Sequence, residues 1–273
     1  AGKTTLLNIL SGYTLATKGN ISINSISMLE NPVKAKSQLG FLPEHPPLYS
    51  EMSVHEYLIF CSKLKGVIHQ DRSEHIEELL IMTGLKPVEN RIIGHLSKGY
   101  QQRTGLAQAL CGSPDVLLLD EPSSGFDPGQ MIEFRGIVQS LSKSHTIILS
   151  SHILSEVDSI CERIVILHHG EIAYDHLNDN ASKHKQFFVR ISGEAGNILP
   201  GLRNLPSVIK VKPILRQEVI EATIYTQSEL CFEKELFQFL SAIGAPILEL
   251  RPVYDSLEDI FMNITALDRQ DKV

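Results

Sequence analysis

At 273 residues, with 42% hydrophobic and 21% charged residues, the chain has the composition of an ordinary globular protein, large enough for one big domain or one domain plus a small second one. Its formal net charge of −7 argues against a general nucleic-acid binder, whose affinity rests on Lys and Arg neutralising phosphates, so no nucleic-acid partner is expected. No apolar run approaches the ~18 residues of a membrane span and no secretory leader is expected, so a membrane role calls for a partner protein.

The chain opens "AGKTTLLNILSG". Gly2, Lys3, Thr4 and Thr5 before an apolar helical pattern look like the back half of G-x-x-x-x-G-K-[ST], a turn whose backbone N–H groups cradle phosphates. Four residues recur by chance, so a plain helix start competes with that reading. Residues 19–27 alternate apolar and polar, as a small antiparallel piece does. Ser53 with Glu56 predicts a capping box, opening a helix that carries Val54, Tyr57, Leu58, Cys61 and Leu64 on its inner side. A further helix is expected from Asp71 towards Gly84, with Ile76, Leu79 and Leu80 as its buried stripe.

Residues 116–122, "VLLLDEP", and 146–152, "TIILSSH", are short apolar runs expected as strands buried on both faces. Between them Asp127 precedes Pro128 as an N-cap precedes a first-turn proline. Met131, Phe134, Ile137, Val138 and Leu141 succeed it at helical spacing. Alternating strands and helices over residues 1–173 predict an α/β fold with a mainly parallel sheet. Cys61, Cys111, Cys161 and Cys231 are far apart in apolar surroundings, which suits buried, reduced thiols.

Residues 174–185 are polar and aperiodic and are read as a linker. Residues 186–273 then form a small α+β extension. Strand-like runs stand at 187–191, 207–211, 219–225 and around 246–252. A short helical turn lies near Leu202, and a helix begins at Ser228, carries Leu236, Phe239, Leu240 and Ile243, and is closed by Gly244. The order approaches β-α-β-β-α-β, a ferredoxin-like plan. Leu257, Ile260, Phe261 and Ile264 form an i, i+3, i+4, i+7 face that is expected to pack on this extension.

The run "LLLDE" delivers Asp120 and Glu121 to the carboxyl end of a strand, where open α/β sheets place their ligands. An aspartate there can hold Mg²⁺ and a neighbouring glutamate can polarise an attacking water, although a strand-to-turn corner would look the same. "LSKGYQQRTGLAQAL" precedes this run, "SSGFDP" succeeds it, and "SSH" ends the next strand.

This ordered set, with GKTT, resembles the ATP-binding cassette (ABC) family, specifically the ATPase subunit of ABC transporters, a P-loop NTPase fold. The resemblance covers residues 1 to about 173. It implies ATP and Mg²⁺ as ligands. It implies that Lys3 meets the β/γ-phosphates, Thr4 meets Mg²⁺ and Thr5 meets phosphate, with Gly2 shaping the loop. It makes Asp120 the metal-site aspartate, Glu121 the catalytic glutamate and His152 the switch histidine. Ser97 and Gly99 match the family's LSGGQ signature, which meets the γ-phosphate bound by another protomer, and Asp127 matches the loop that couples two sites across a dimer. Glu44 stands where the family has a metal-contacting glutamine. A carboxylate there accepts hydrogen bonds but cannot donate them. The stretch after Glu44 is expected to face the membrane subunit.

The run "LRPVYDSLEDIFMNIT" (250–265) looks like the ending of exporter ATPases of the multidrug, polysaccharide and gliding-motility kinds. Together the two resemblances imply an ATP-hydrolysing subunit of an exporter that partners a transmembrane permease and a second ATPase copy, cytoplasmic and peripheral on the inner face of the membrane. The alternatives are a non-transport ABC ATPase, ribosome-associated or of DNA-repair type, and a regulatory cassette with little turnover. The first glycine of the phosphate loop and its feeding strand are expected upstream of residue 1, so residues 1–273 alone are expected to bind ATP weakly.

Overall fold

The computed structural model describes residues 2–177, 186–216, 219–226, 231–253, 257–258, 260–262 and 264. The chain divides into two compact units, Ala1–Asp175 and His176–Val273.

The first unit begins with α1 (Lys3–Leu10), the hairpin strands β1 (Ser22–Ile23) and β2 (Ile26–Ser27), and α2 (Pro32–Ser37). Strand β3 (Leu39–Leu42) leads to α3 (Val54–Leu64), α4 (Arg72–Met82) and α5 (Lys98–Leu110). Then come β4 (Val116–Asp120), α6 (Pro128–Leu141), β5 (Thr146–Ser150), α7 (Leu154–Ile160), β6 (Arg163–His168) and β7 (Glu171–Leu177).

A parallel sheet in the order β3-β4-β5 is the frame of the site. Its middle strand carries Leu117, Leu118 and Leu119 at 0–1% exposure, buried on both faces. At about 1.5–3 kcal/mol for each buried leucine side chain, this strand anchors the unit. Leu117 and Leu119 join Leu42, Leu58, Leu106 and Phe134 in one core, while Leu118 packs with Leu7 and Leu39 in another. Helix α5 lies so close to β3 that a Cβ on Gly40 would sit 2.1 Å from the Ala109 carbonyl oxygen.

Two expectations change here. Strand β5 has its other edge unpaired among the described residues, and its residues alternate between exposed and half-buried up to Ser150, with Ile148 43% exposed. An edge strand covered incompletely keeps apolar residues in water even when its sequence reads as fully buried. In α3 the capping box forms as expected, with Val54, Tyr57, Leu58 and Cys61 buried. Leu64, however, is 72% exposed and Ser62 takes the inner position, its hydroxyl satisfied by the Leu58 carbonyl at 2.7 Å. Strand β7 runs through Asp175 and His176 to Leu177, into the segment read as linker, whose residues 178–185 lie outside the described residues.

The second unit contains β8 (Gln186–Ser192), α8 (Ala195–Arg203), β9 (Val208–Arg216), β10 (Val219–Thr226), α9 (Phe232–Ala242) and β11 (Ile247–Val253). The sheet is antiparallel in the order β11-β8-β10-β9, a ferredoxin-like arrangement. Strict alternation in β10 puts Ile220, Ala222 and Ile224 on the covered face, against Phe232, Leu236 and Leu240 of α9. Ser228, the expected start of α9, lies outside the described residues, as does 265.

In the final helical stretch Leu257 is buried, but Phe261 is 37% exposed, so the expected four-residue buried face does not form as a whole. None of the four cysteines is in a disulfide, yet only Cys61 and Cys111 are buried. Cys231 is exposed at the N-cap of α9, where a helix start puts it at the surface. Burial pushes up the thiols of Cys61, Cys111 and Cys161, Cys111 to about 12 and Cys161 to about 11.

Candidate nucleotide site

The carboxyl end of β4 brings the first group of residues together. Asp120 is 1% exposed and accepts from the Ser150 hydroxyl at 2.6 Å and from the Thr4 hydroxyl at 3.5 Å. Both bonds fall on Oδ1, so Oδ2 keeps its acceptor capacity among the described residues. Immediately after it the backbone turns sharply. Glu121 has φ +46, a left-handed conformation that costs a non-glycine residue about 1–3 kcal/mol. Its N–H is held by the Ser150 carbonyl at 3.2 Å and the Ser150 hydroxyl at 3.0 Å, which fixes the side chain at the top of the sheet.

Three elements meet at that carboxylate. Lys3, from the first turn of α1, places Nζ 3.1 Å from Glu121 Oε1 and donates to the Ser151 carbonyl at 3.2 Å. His152, just past β5, places Nδ1 2.6 Å from Oε2 and donates its backbone N–H to the same oxygen at 3.2 Å. Burial alone would raise the Glu121 pKa. The hydrogen bonds from His152 and Lys3, and their charges, outweigh it and hold the group below the usual carboxylate value. Gly2, with φ +93, precedes α1, and Thr4 and Thr5 are exposed in its first turn.

A second group forms where α5 and α6 begin. Ser97 caps α5, accepting the Tyr100 N–H at 3.4 Å. Asp127 caps α6 reciprocally with Gln130: Gln130 N–H donates to Asp127 Oδ1 at 2.9 Å, and Asp127 N–H to Gln130 Oε1 at 3.4 Å. Gly99 is buried against that same glutamine, and a Cβ there would lie 2.8 Å from Gln130 Oε1. Among the described residues no hydrogen bond or ion pair links this group to the Lys3–Glu121–His152 cluster within the chain. Glu44 sits exposed beyond β3, outside both groups.

Known proteins resemble this chain. The family model for ABC transporters matches residues 1–124. Bacitracin transport ATP-binding protein BcrA of Bacillus licheniformis is 31% identical over 270 residues, covering 97% of this chain and 85% of that protein. The chain belongs to the ABC transporter ATP-binding proteins. An uncharacterized ABC transporter ATP-binding protein of Bacillus subtilis, YhcH, is 30% identical over 99% of this chain and 86% of its own length. Among solved structures, an ATP-binding subunit of an ABC transporter matches with a TM-score of 0.59 and 28% identity, over 66% of this chain and 75% of that one. The chain is therefore an ABC ATPase with a P-loop α/β fold.

Ser150 is the site residue that sequence reasoning passed over. One hydroxyl donates to Asp120 and accepts from the Glu121 N–H, so it carries the turn that presents Glu121. The signal was present as a polar residue ending an apolar strand beside the Asp–Glu strand. A serine so near His152 hides behind the more conspicuous histidine.

Proposed function

We propose that this ABC ATPase hydrolyses ATP at the Lys3–Asp120–Glu121–His152 cluster and that closure of two copies around ATP powers a separate membrane permease, in the direction of export. The observation that carries the reading is the Glu121 carboxylate, held between Lys3 and His152 at the end of β4.

The chemistry is set by the charges. The Lys3 ammonium exchanges Glu121 for the β/γ-phosphates, which carry more negative charge than one carboxylate. That releases Glu121, already ionised at neutral pH, to orient a water and accept its proton, while His152 contacts the γ-phosphate. Thr4 and Thr5 lie at the N-terminus of α1, where backbone N–H groups and the helix dipole favour phosphate.

The donor set also fits Mg²⁺. A buried carboxylate with one unused oxygen beside a threonine hydroxyl offers hard oxygen ligands to an ion that keeps several waters. Among the described residues no group of three or more His, Cys, Asp or Glu side chains is placed to hold a metal; in this reading the ion's other ligands would come from phosphate and water. Mg²⁺, when bound, would supply charge neutralisation at the phosphates; Thr4 and Asp120 would hold it, with Glu44 as the further ligand that the resemblance implies.

Ser97 and Gly99 stand at the start of α5 and, in this reading, meet the γ-phosphate held by the other copy, with Asp127 at the dimer contact. No helix among the described residues is long and apolar enough to cross a membrane; in this reading a separate permease supplies the pathway. A groove lined by Tyr49, Glu51, Met52, Glu56 and Phe60 comes after Glu44 in the chain; in this reading it is the face that meets the permease, with the subunit peripheral on the inner face of the membrane. Support for transport comes from the relative named for bacitracin transport, and the export direction rests on the resemblance of residues 250–265 to exporter ATPases alone.

Calorimetric titration of ATP, with and without Mg²⁺, tests the reading in the full-length protein and its Lys3→Ala variant. ATP is expected to bind the first and to lose at least tenfold in affinity on the second. Equal affinity for both places the phosphates elsewhere.

A further inference from the structure

Glu156 has no part in the chemistry at the Lys3–Glu121–His152 cluster, yet it is a carboxylate at 2% exposure in the first turn of α7. Burying an ionised carboxylate costs several kcal/mol unless hydrogen bonds replace its water. Two do so here. The hydroxyls of Ser123 and Ser151 each donate to Glu156 Oε2 at 2.8 Å.

Those serines belong to different segments of the site. Ser123 is 3% exposed and lies in the turn that leads from Glu121 to Asp127, closed by Ser124 N–H to the Glu121 carbonyl at 3.0 Å and Phe126 N–H to the Ser123 carbonyl at 3.1 Å. Ser151 directly precedes His152, gives its carbonyl to Lys3 at 3.2 Å and accepts the Ile153 N–H at 3.0 Å. One buried oxygen thus grips the chain just after Glu121 and just before His152.

We propose that Glu156 is a positioning residue, clamping the turn after Glu121 to the segment before His152 so that the carboxylate and the imidazole stay at hydrogen-bond distance. The proposal rests on the proposed roles of Glu121 and His152 in hydrolysis. Glu156 touches neither of them, nor the phosphates. Hydrogen bonds to an ionised acceptor are roughly twice as strong as neutral ones, which is what a clamp between two loops requires. Without it, two hydroxyls lose their partner and the segments move independently. A displacement of about 1 Å at reacting groups can cost ~10²-fold in rate. Lys3 and Thr4 are carried by α1, so ATP affinity depends little on the clamp.

Steady-state ATPase kinetics of the full-length protein and its variants decide the matter. Glu156→Ala is expected to lower kcat about tenfold or more, with KM for ATP changed by no more than about threefold. Glu156→Gln keeps an oxygen at the same reach and should recover part of kcat; Glu156→Asp, one methylene shorter, should not. Ser123→Ala with Ser151→Ala should reproduce Glu156→Ala, and adding Glu156→Ala to that pair should cost little more, because residues of one network are not additive. If Glu156→Ala fails to fold, the two serine variants carry the test alone. A lower melting temperature with kcat per folded molecule unchanged overturns the clamp, as do fully additive variants. Failure of the wild-type protein to bind ATP is a separate outcome, which overturns the site reading and the clamp with it.

Discussion

Replacing Gly99 by Ala separates the packing role of this residue from its proposed role at phosphate. The added Cβ would lie 2.8 Å from Gln130 Oε1 and 3.1 Å from its Cδ, so the glutamine amide must move by roughly 0.6 Å to reach ordinary contact. The backbone at Gly99 is not in the left-handed region, so alanine fits it. The displaced amide gives up its bond to the Asp127 N–H, already long at 3.4 Å and worth about 0.5–1.5 kcal/mol net. Against this, replacing glycine restricts the unfolded chain and returns about 0.4–1 kcal/mol. The two nearly cancel, leaving stability within about 1 kcal/mol, or about 2–4 °C in Tm. Turnover should behave differently. In the proposed dimer, a shift of the start of α5 away from the crowded Gln130 side chain by on the order of 1 Å would misplace it against the partner's γ-phosphate, worth ~10²-fold. Phosphate release and differential scanning calorimetry on the same preparation read both quantities. Turnover within twofold of wild type at unchanged Tm would remove Gly99 from the phosphate contact; a fall of more than about 10 °C would refute the packing estimate.

Gly40→Ala directs its methyl at a backbone carbonyl 2.1 Å away, which cannot swing aside. It should cost about 3 kcal/mol or more in urea unfolding, and a loss under 1 kcal/mol would mean that α5 is not seated closely on β3. Ser150→Ala removes the hydroxyl that serves both Asp120 and the Glu121 N–H, so stability should fall by about 1–3 kcal/mol together with turnover; loss of neither would show the turn to be held by other means. Because Glu121 is held below its ordinary value of 4.5, its stabilising contribution is present above that value and disappears as pH falls through the lower folded value. Thermal melts between pH 3 and 6 should therefore show a shallower acid loss for Glu121→Gln than for wild type, whereas parallel profiles would mean that the Lys3 and His152 contacts do not persist in solution.

The parts of the molecule that the sequence made legible are those with local signals. The capping box at Ser53, the N-cap at Asp127, the apolar β4 and the period-2 alternation of β10 are set by neighbouring residues, and they formed as the local chemistry requires. The Asp–Glu pair was legible for the same reason, since two carboxylates closing an apolar strand stand where parallel sheets hold their ligands. What escaped depends on tertiary neighbours. Helix α5 reads as polar, yet Gln102, Arg103 and Thr104 are buried because α5 packs against both β3 and the other helices. Strand β5 reads as buried, yet among the described residues it is paired on one side only, and pairing is a property of the sheet rather than of the strand. Leu64 and Phe261 fit apolar stripes whose last turn extends beyond the surface they cover. Ser123 and Ser151 are invisible as residue types; only the placement of Glu156 gives them work.

The central claim is that ATP binds at the Lys3–Glu121 face of one chain and is closed in by Ser97 and Gly99 of a second. Glu121→Gln in the full-length protein tests it most directly, because the substitution removes the group that activates water, worth ~10²–10⁴ in rate, while leaving the phosphate-binding residues in place. Light scattering behind gel filtration, with and without Mg-ATP, reads the outcome. A dimer that appears with Mg-ATP and reverts to monomer when the nucleotide is removed is the predicted result. Monomer alone in Mg-ATP, with turnover persisting at the wild-type rate, would contradict both the assignment of Glu121 and the closure of the site by a second chain.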